Sequence, residues 1–353
     1  MPALDGLRGL AIFAVVLHHV PIQWHRYTHV GYAGVDLFFV LSGFLITGIL
    51  LDAKGEPGAL RSFYARRALR IWPLYYAFLA LYYFWATRRL PLGPWQAPGW
   101  YVAHLSNVHV ALFGRWTTNL ALDPTWSLAV EEQFYLVWPL VVYRCSPRAL
   151  VRVCVALIVA APLLRVAGTL AGVSPIALFV LTPTHCEGLA LGAAIATVAR
   201  GDRGLAPFVP LARATAALVG AAFVAVWIYA VVVDLPWLAY DYASLSTLLL
   251  TPIALLCGAA LVLVLAKADR PSLWTFAPLR ALGRYSYAIY LFHLPVRTWA
   301  ARRLLKPMPY GQLRYVATFA VTFAVSIALA IVSWHLFEKQ LLKLKSRFPY
   351  RRS

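Results

Sequence analysis

The sequence predicts an all-α fold, a polytopic transmembrane helical bundle of about ten spans plus one re-entrant or interfacial segment. Three observations predict it. The 353 residues are 61% hydrophobic and only 13% charged. Apolar runs of spanning length, about 17 to 25 residues, recur from end to end. The Lys and Arg residues behind a net charge of +19 gather between those runs, and no polar block is long enough to fold as a separate domain.

In chain order the runs place spans at residues 7–24, 32–51, 70–86, 127–143, 150–171, 175–199, 209–233, 244–266, 283–300 and 314–337. The first run has no basic leader and no small-residue cleavage site, so it is expected to be retained and not removed as a signal peptide. One run is left over. Residues 100–113, "WYVAHLSNVHVALF", fall short of a span and are interrupted by His104, Asn107 and His109.

Charge decides whether that run crosses, because cytoplasmic loops carry the Lys and Arg excess. The loop 52–69 holds Lys54, Arg61, Arg66 and Arg67, whereas the turn 25–31 holds only Arg26. If 100–113 does not cross, three further clusters fall inside: Arg144, Arg148 and Arg152; Arg200, Arg203 and Arg213; Lys267, Arg270, Arg280 and Arg284. The basic stretch "KQLLKLKSRFPYRRS" joins them, and Asp234 and Asp241 fall outside. Both termini are therefore expected in the cytoplasm, with 100–113 re-entrant or interfacial. Arg88 and Arg89, and the run Arg297, Arg302, Arg303 and Lys306, land outside against the rule.

The positive balance is a topology signal and an attraction to anionic headgroups, so membrane lipids are expected partners and nucleic acid is not. Cys145, Cys154, Cys186 and Cys257 show neither a paired Cys-x-x-Cys nor a metal-ligand spacing, and no metal is expected.

Ionisable groups inside spans are expensive in lipid and mark function. Here they are His18, His19, Asp36, Glu131, Glu132, Glu187 and His293, with Arg8, Arg66, Arg67 and Arg70 at helix ends. Arg8 and His19 stand about 16.5 Å apart along one helix with roughly 20° of angular drift, so they share a face at different depths. His18 lies about 100° round from His19 and cannot share it. His19, Asp36 and Glu131 each fall a few residues from the expected outer end of a span, which predicts a histidine oriented by Asp36 or Glu131, a general base able to take a proton from a hydroxyl. Arg66, Arg67 and Arg70 lie on adjacent turns beside Arg8 at the opposite end, a cluster suited to a multiply phosphorylated anion. A long donor with a phosphorylated head and a reactive tip bridges two such sites, and acyl-coenzyme A has that shape.

The ordered segments "LDGLRGLAIFAVVLHH", "GVDLFFVLSGFLIT", "RRALRIWPLYY", "TWSLAVEEQFYLVWPL", "HCEGLALGA" and "GRYSYAIYLFHLPV" closely resemble the bacterial membrane-bound acyltransferase-3 family of O-acyltransferases, which act on surface polysaccharides and related substrates. The resemblance implies an acyltransferase-3-like domain over residues 1–340, a basic cytoplasmic tail over 341–353 and a bacterial inner-membrane location. It implies His19 as the essential imidazole, Arg8, Arg66, Arg67 and Arg70 as the acyl-CoA site, with acetyl the commonest acyl group, and Glu131 as a further active-site residue. Relatives usually show Arg and Asp where this chain has His185 and Glu187.

The expected reaction is direct transfer to a hydroxyl of a carbohydrate or glycolipid acceptor, with His19 as base, Asp36 or Glu131 as its orienter, and Glu132, Glu187 and His293 on the acceptor path. Ser42 is read as a small packing residue, and Trp126 and Tyr135 as packing or interfacial aromatics. A secondary transporter or flippase also places carboxylates and histidines at mid-membrane, but no internal repeat relates the two halves.

Overall fold

The computed structural model describes residues 1–19, 29–86, 97–116, 121–232, 245–267 and 271–350. Arg26, Arg88, Arg89, Asp234, Asp241 and Arg270, on which part of the topology reasoning rests, lie outside the described residues.

Every described element is helical. The chain runs through α1 (Pro2–His18), α2 (Ala33–Asp52), α3 (Ala59–Ala86), the short α4 (Pro98–Val102) and α5 (Ser106–Phe113), then α6 (Thr125–Arg144) and α7 (Pro147–Leu170). It continues through α8 (Pro175–Val180), α9 (Glu187–Ala199), α10 (Val209–Val232), α11 (Leu250–Leu265), α12 (Ala277–Trp299), α13 (Gln312–Ser333) and α14 (Lys339–Leu342). A π turn over Trp334–Glu338 joins α13 to α14, so the two run on as one long rod that ends in a 3-10 turn at Lys343–Arg347.

Five of these helical stretches are both long and apolar enough to cross a membrane: Ala33–Asp52, Pro147–Leu170, Ala206–Val226, Thr247–Leu265 and Gln312–Arg347. The helices α3, α6 and α12 have 28, 20 and 23 residues, but charged residues dilute their apolar character. The structure thus supports a helical membrane bundle with five clear spanning candidates among the described residues, fewer than the ten expected. The outer surface agrees with a lipid setting: Leu136, Leu170, Leu218 and Leu313 are 66%, 84%, 73% and 74% exposed. The interior, by contrast, holds Asp36, Arg165, His185, Glu187 and His293.

Two expected elements change form. The span expected at 175–199 is broken between α8 and α9 by a 3-10 turn at Thr182–Thr184. Pro183 has no N–H to donate to the carbonyl four residues back, Phe179. His185 Nδ1–H takes that carbonyl instead, at 2.6 Å. The run 100–113 is two short helices with a break at His104, whose φ of 53° is left-handed. Neither piece approaches spanning length.

Close helix approach relies on glycine. A β-carbon on Gly43 of α2 would strike the Leu189 carbonyl of α9, and one on Gly192 of α9 would strike the Val40 carbonyl of α2. The α1–α12 pair is built the same way, with Gly9 against the Leu279 carbonyl and Gly283 against the Asp5 carbonyl. In lipid, where water supplies no force between helices, such small-residue contacts allow the dispersion packing that holds a bundle together.

At one end of the bundle, polar contacts tie the basic loops to each other. Lys54 Nζ donates to the Val142 and Cys145 carbonyls at the C-terminus of α6, at 2.7 and 2.6 Å. Arg200, just past α9, makes a two-pronged bond to Asp52 at the end of α2, at 2.6 and 2.7 Å. Ser62 in α3 reaches the Pro349 carbonyl at 3.0 Å.

Candidate active site

A cavity of about 220 Å³ opens between α1, α2, α3, α6 and α12. Along α2 its wall runs from Val35 to Ile49, about 21 Å of helix, so the space is elongated. Arg8 enters from α1, Arg67 and Arg70 from α3, Glu131, Glu132 and Tyr135 from α6, and Tyr287 and Tyr290 from α12. Ser42, Ser127 and Ser286 complete its polar lining.

The cationic part of the site is assembled as the helical phase of the sequence suggests, with one exception. Arg67 and Arg70 sit on one side of α3 and face the cavity with Arg8. Arg8 Nε is buried without a hydrogen-bond partner among the described residues, so this guanidinium has donor capacity for a bound anion. Arg67 lies over the Tyr135 ring, 5.1 Å from its centroid. Arg66, expected with them, lies about 100° round the helix and is absent from the cavity wall. It donates instead to the Phe348 carbonyl at 3.1 Å and covers the Tyr350 ring at 5.0 Å.

Glu131 lies level with the arginines and not with His19. Its Oε1 accepts from Ser42 Oγ at 2.6 Å, and Tyr135 Oη donates to the same serine oxygen at 3.0 Å. Glu132 also lines the cavity and accepts from Trp72 Nε1 at 3.0 Å. Ser42 and Tyr135, read from sequence as packing residues, are therefore part of the polar wall.

His19 sits past the C-terminal end of α1, and its neighbours are imidazoles. Its Nδ1 lies 2.8 Å from the Val15 carbonyl and 3.3 Å from His293 Nε2, and the His18 ring is 4.8 Å away. A carbonyl only accepts, so Nδ1 carries the proton in the neutral ring and the lone pair is on Nε2. His293 Nδ1–H is likewise committed to the Tyr290 carbonyl, at 2.7 Å. Tyr290 lines the cavity and bonds Ser127 through its hydroxyl at 2.6 Å, so His19 joins the cavity through His293 and Tyr290 on α12.

Two carboxylates expected at this site are engaged elsewhere. Asp36 Oδ1 is 3.0 Å from His185 Nε2 in a buried pair, with the imidazole packed between Trp126, Phe39 and Phe179. Glu187 pairs with Arg165 at 2.6 Å, both fully enclosed, and neither lines the cavity. A charge buried in a bundle demands a partner; Asp36 has its partner in the break before α9, and Glu187 has its partner on α7. Arg165 is a residue that the sequence reading passed over. A lone arginine inside an apolar run, matched by a lone glutamate in another, is the signal that could have found the pair.

The fold and cavity define a helical membrane protein with an arginine-lined internal site. The chain belongs to the acyltransferase-3 family, whose model, described as an acyltransferase domain, matches residues 1–332. It is 30% identical to the peptidoglycan O-acetyltransferase OatA of Listeria monocytogenes over 92% of this chain and 54% of that protein. Identity to YrhL of Bacillus subtilis is 28% over 97% of this chain and 55% of that protein. The O-acetyltransferase OatA of Staphylococcus aureus is 32% identical across 43% of this chain and 27% of its own length. The chain thus spans about half the length of the first two relatives. No solved structure matches it.

Proposed function

We propose that this chain is an integral-membrane O-acyltransferase that moves an acyl group, acetyl in the first instance, from acyl-coenzyme A to a hydroxyl of a cell-envelope glycan. The observation that carries the reading is the elongated cavity with Arg8, Arg67 and Arg70 in its wall and a contact path through Tyr290 and His293 to His19. Peptidoglycan is the first acceptor to test, since the Listeria monocytogenes and Bacillus subtilis relatives both carry peptidoglycan O-acetyltransferase in their names.

In the proposed reaction the three arginines hold the donor's phosphates and fix the thioester in the cavity. His19 Nε2 accepts the acceptor's hydroxyl proton as the oxygen bonds to the thioester carbonyl carbon. The carbon–sulfur bond then breaks, and His19 returns its proton to the departing thiolate. His293 orients the His19 ring, and Glu131 with Ser42 sets the polarity of the wall beside Arg8 and Arg67. Asp36 and Glu187 act by holding helices together.

The remaining elements of the proposal follow charge and family. The catalytic domain occupies residues 1–340 with the basic segment 341–353 after it, in about ten spans of a bacterial inner membrane, with both termini cytoplasmic and lipids as surrounding partners. Family membership favours this reading over a transporter or flippase. The test is incubation of the purified full chain with acetyl-labelled acetyl-CoA and peptidoglycan fragments. Base-labile label in the fragments is the expected result, and an unlabelled acceptor with all the label still on CoA rejects it.

A further inference from the structure

The segment after α14 is docked onto the basic face of α3. Ser62 donates to the Pro349 carbonyl, Arg66 donates to the Phe348 carbonyl and lies over the Tyr350 ring, and Tyr350 packs on the main core cluster. Ser62 and Arg66 are one turn apart on α3, and the next turn carries Arg67 and Arg70 of the cavity. The same docking brings Lys345 within electrostatic reach of Arg70, Arg67 and Arg66. Glu338 is the acidic group of this rod that faces Arg70, and its Oε1 already accepts from Ser333 at 2.9 Å.

Holding a lysine against three arginines is unfavourable in the free protein, since like charges repel. A polyanion reverses that cost and gains from each added cation. Arg66 is therefore freed from the cavity for a different purpose: it anchors the segment that delivers Lys345.

We propose that the segment Lys343–Tyr350 is a wall of the donor site, in which Arg66 is a positioning residue that docks the segment and Lys345 contacts the phosphates of a nucleotide-bearing thioester donor. The inference rests on the acyl-CoA reading above and extends it to a part of the chain that the cavity itself does not include.

The test compares full-length wild type, Lys345→Ala, Lys345→Arg, Arg66→Ala and Arg67→Ala in nanodiscs, with acetyl-CoA and with S-acetylpantetheine, a donor lacking the phosphates. Lys345→Ala and Arg66→Ala are expected to raise the KM for acetyl-CoA about tenfold at unchanged kcat, with Lys345→Arg close to wild type. With S-acetylpantetheine the same variants are expected to match wild type, which a merely structural role for the segment does not predict. If Arg67→Ala weakens acetyl-CoA use and Lys345→Ala does not, the segment is no part of the site, while the acyl-CoA reading stands. If wild type uses both donors equally well, the phosphate site itself is rejected, and the role of Lys345 goes with it.

Discussion

His293 Nε2 lies 3.3 Å from His19 Nδ1, so among the described residues the imidazole that the mechanism requires is bordered by a second imidazole and not by a carboxylate. A carboxylate would stabilise a protonated His19, whereas a neutral imidazole leaves it readier to release the proton it has taken. His293→Ala is expected to lower kcat about tenfold with little change in donor KM, less than the loss of about 10² to 10⁴ for removing the base itself. Steady-state kinetics at varied acetyl-CoA decides this. A rise in donor KM at constant kcat would move His293 from the acceptor end to the donor end.

The arginine cavity makes an ionic prediction. Arg8→Ala and Arg67→Ala are expected to raise donor KM by about one to two orders of magnitude, and Arg67→Lys to recover only part of it, because lysine lacks the fork that grips two phosphate oxygens. Wild-type donor affinity should also fall as salt rises, and this slope should flatten in Arg67→Ala. Titration of acetyl-CoA at several ionic strengths measures both.

The buried pair Arg165–Glu187 is expected to matter for stability and not for chemistry. Arg165→Leu strands the Glu187 carboxylate and is expected to destabilise the fold by about 3 to 5 kcal/mol. The double substitution Arg165→Leu with Glu187→Leu removes both charges and is expected to recover most of that loss. Thermal unfolding in detergent, followed by tryptophan fluorescence, compares the three proteins.

The glycine contacts between α2 and α9 set a steric prediction. Gly192→Ala places a methyl group against the Val40 carbonyl and is expected to cost about 1 to 3 kcal/mol, because neither backbone can yield without moving its helix. Gly55, with nothing within 4 Å of an added β-carbon, has no such clash, although its φ of 92° makes alanine strained there. Melting temperatures of Gly192→Ala and wild type in the same detergent provide the comparison.

The helices were legible in the sequence because lipid leaves the backbone no alternative to internal hydrogen bonding, so apolar runs become helices. The arginine cluster was legible because Arg67 and Arg70 are related by helical phase within one element, and the step from Arg8 to His19 is again within one helix. What failed depends on the axial offset between elements. Glu131 was placed beside His19 by counting from span ends, but α6 starts at Thr125 and its glutamate meets Ser42, deep in α2. An error of one turn, about 5.4 Å, is enough to exchange a carboxylate's partner. Asp36 shows the same effect, since the turn at Pro183 brings His185 to it from a segment read as unbroken helix.

The most direct test of the account is the kinetic split between the two ends of the site. Transfer of labelled acetyl from acetyl-CoA to peptidoglycan fragments should be measured for wild type, His19→Ala and Arg67→Ala, alongside equilibrium binding of acetyl-CoA to each. The account predicts that His19→Ala binds donor like wild type and loses transfer by about 10² to 10⁴, whereas Arg67→Ala binds donor weakly and recovers much of its rate when donor is raised. Wild-type transfer by His19→Ala would contradict it.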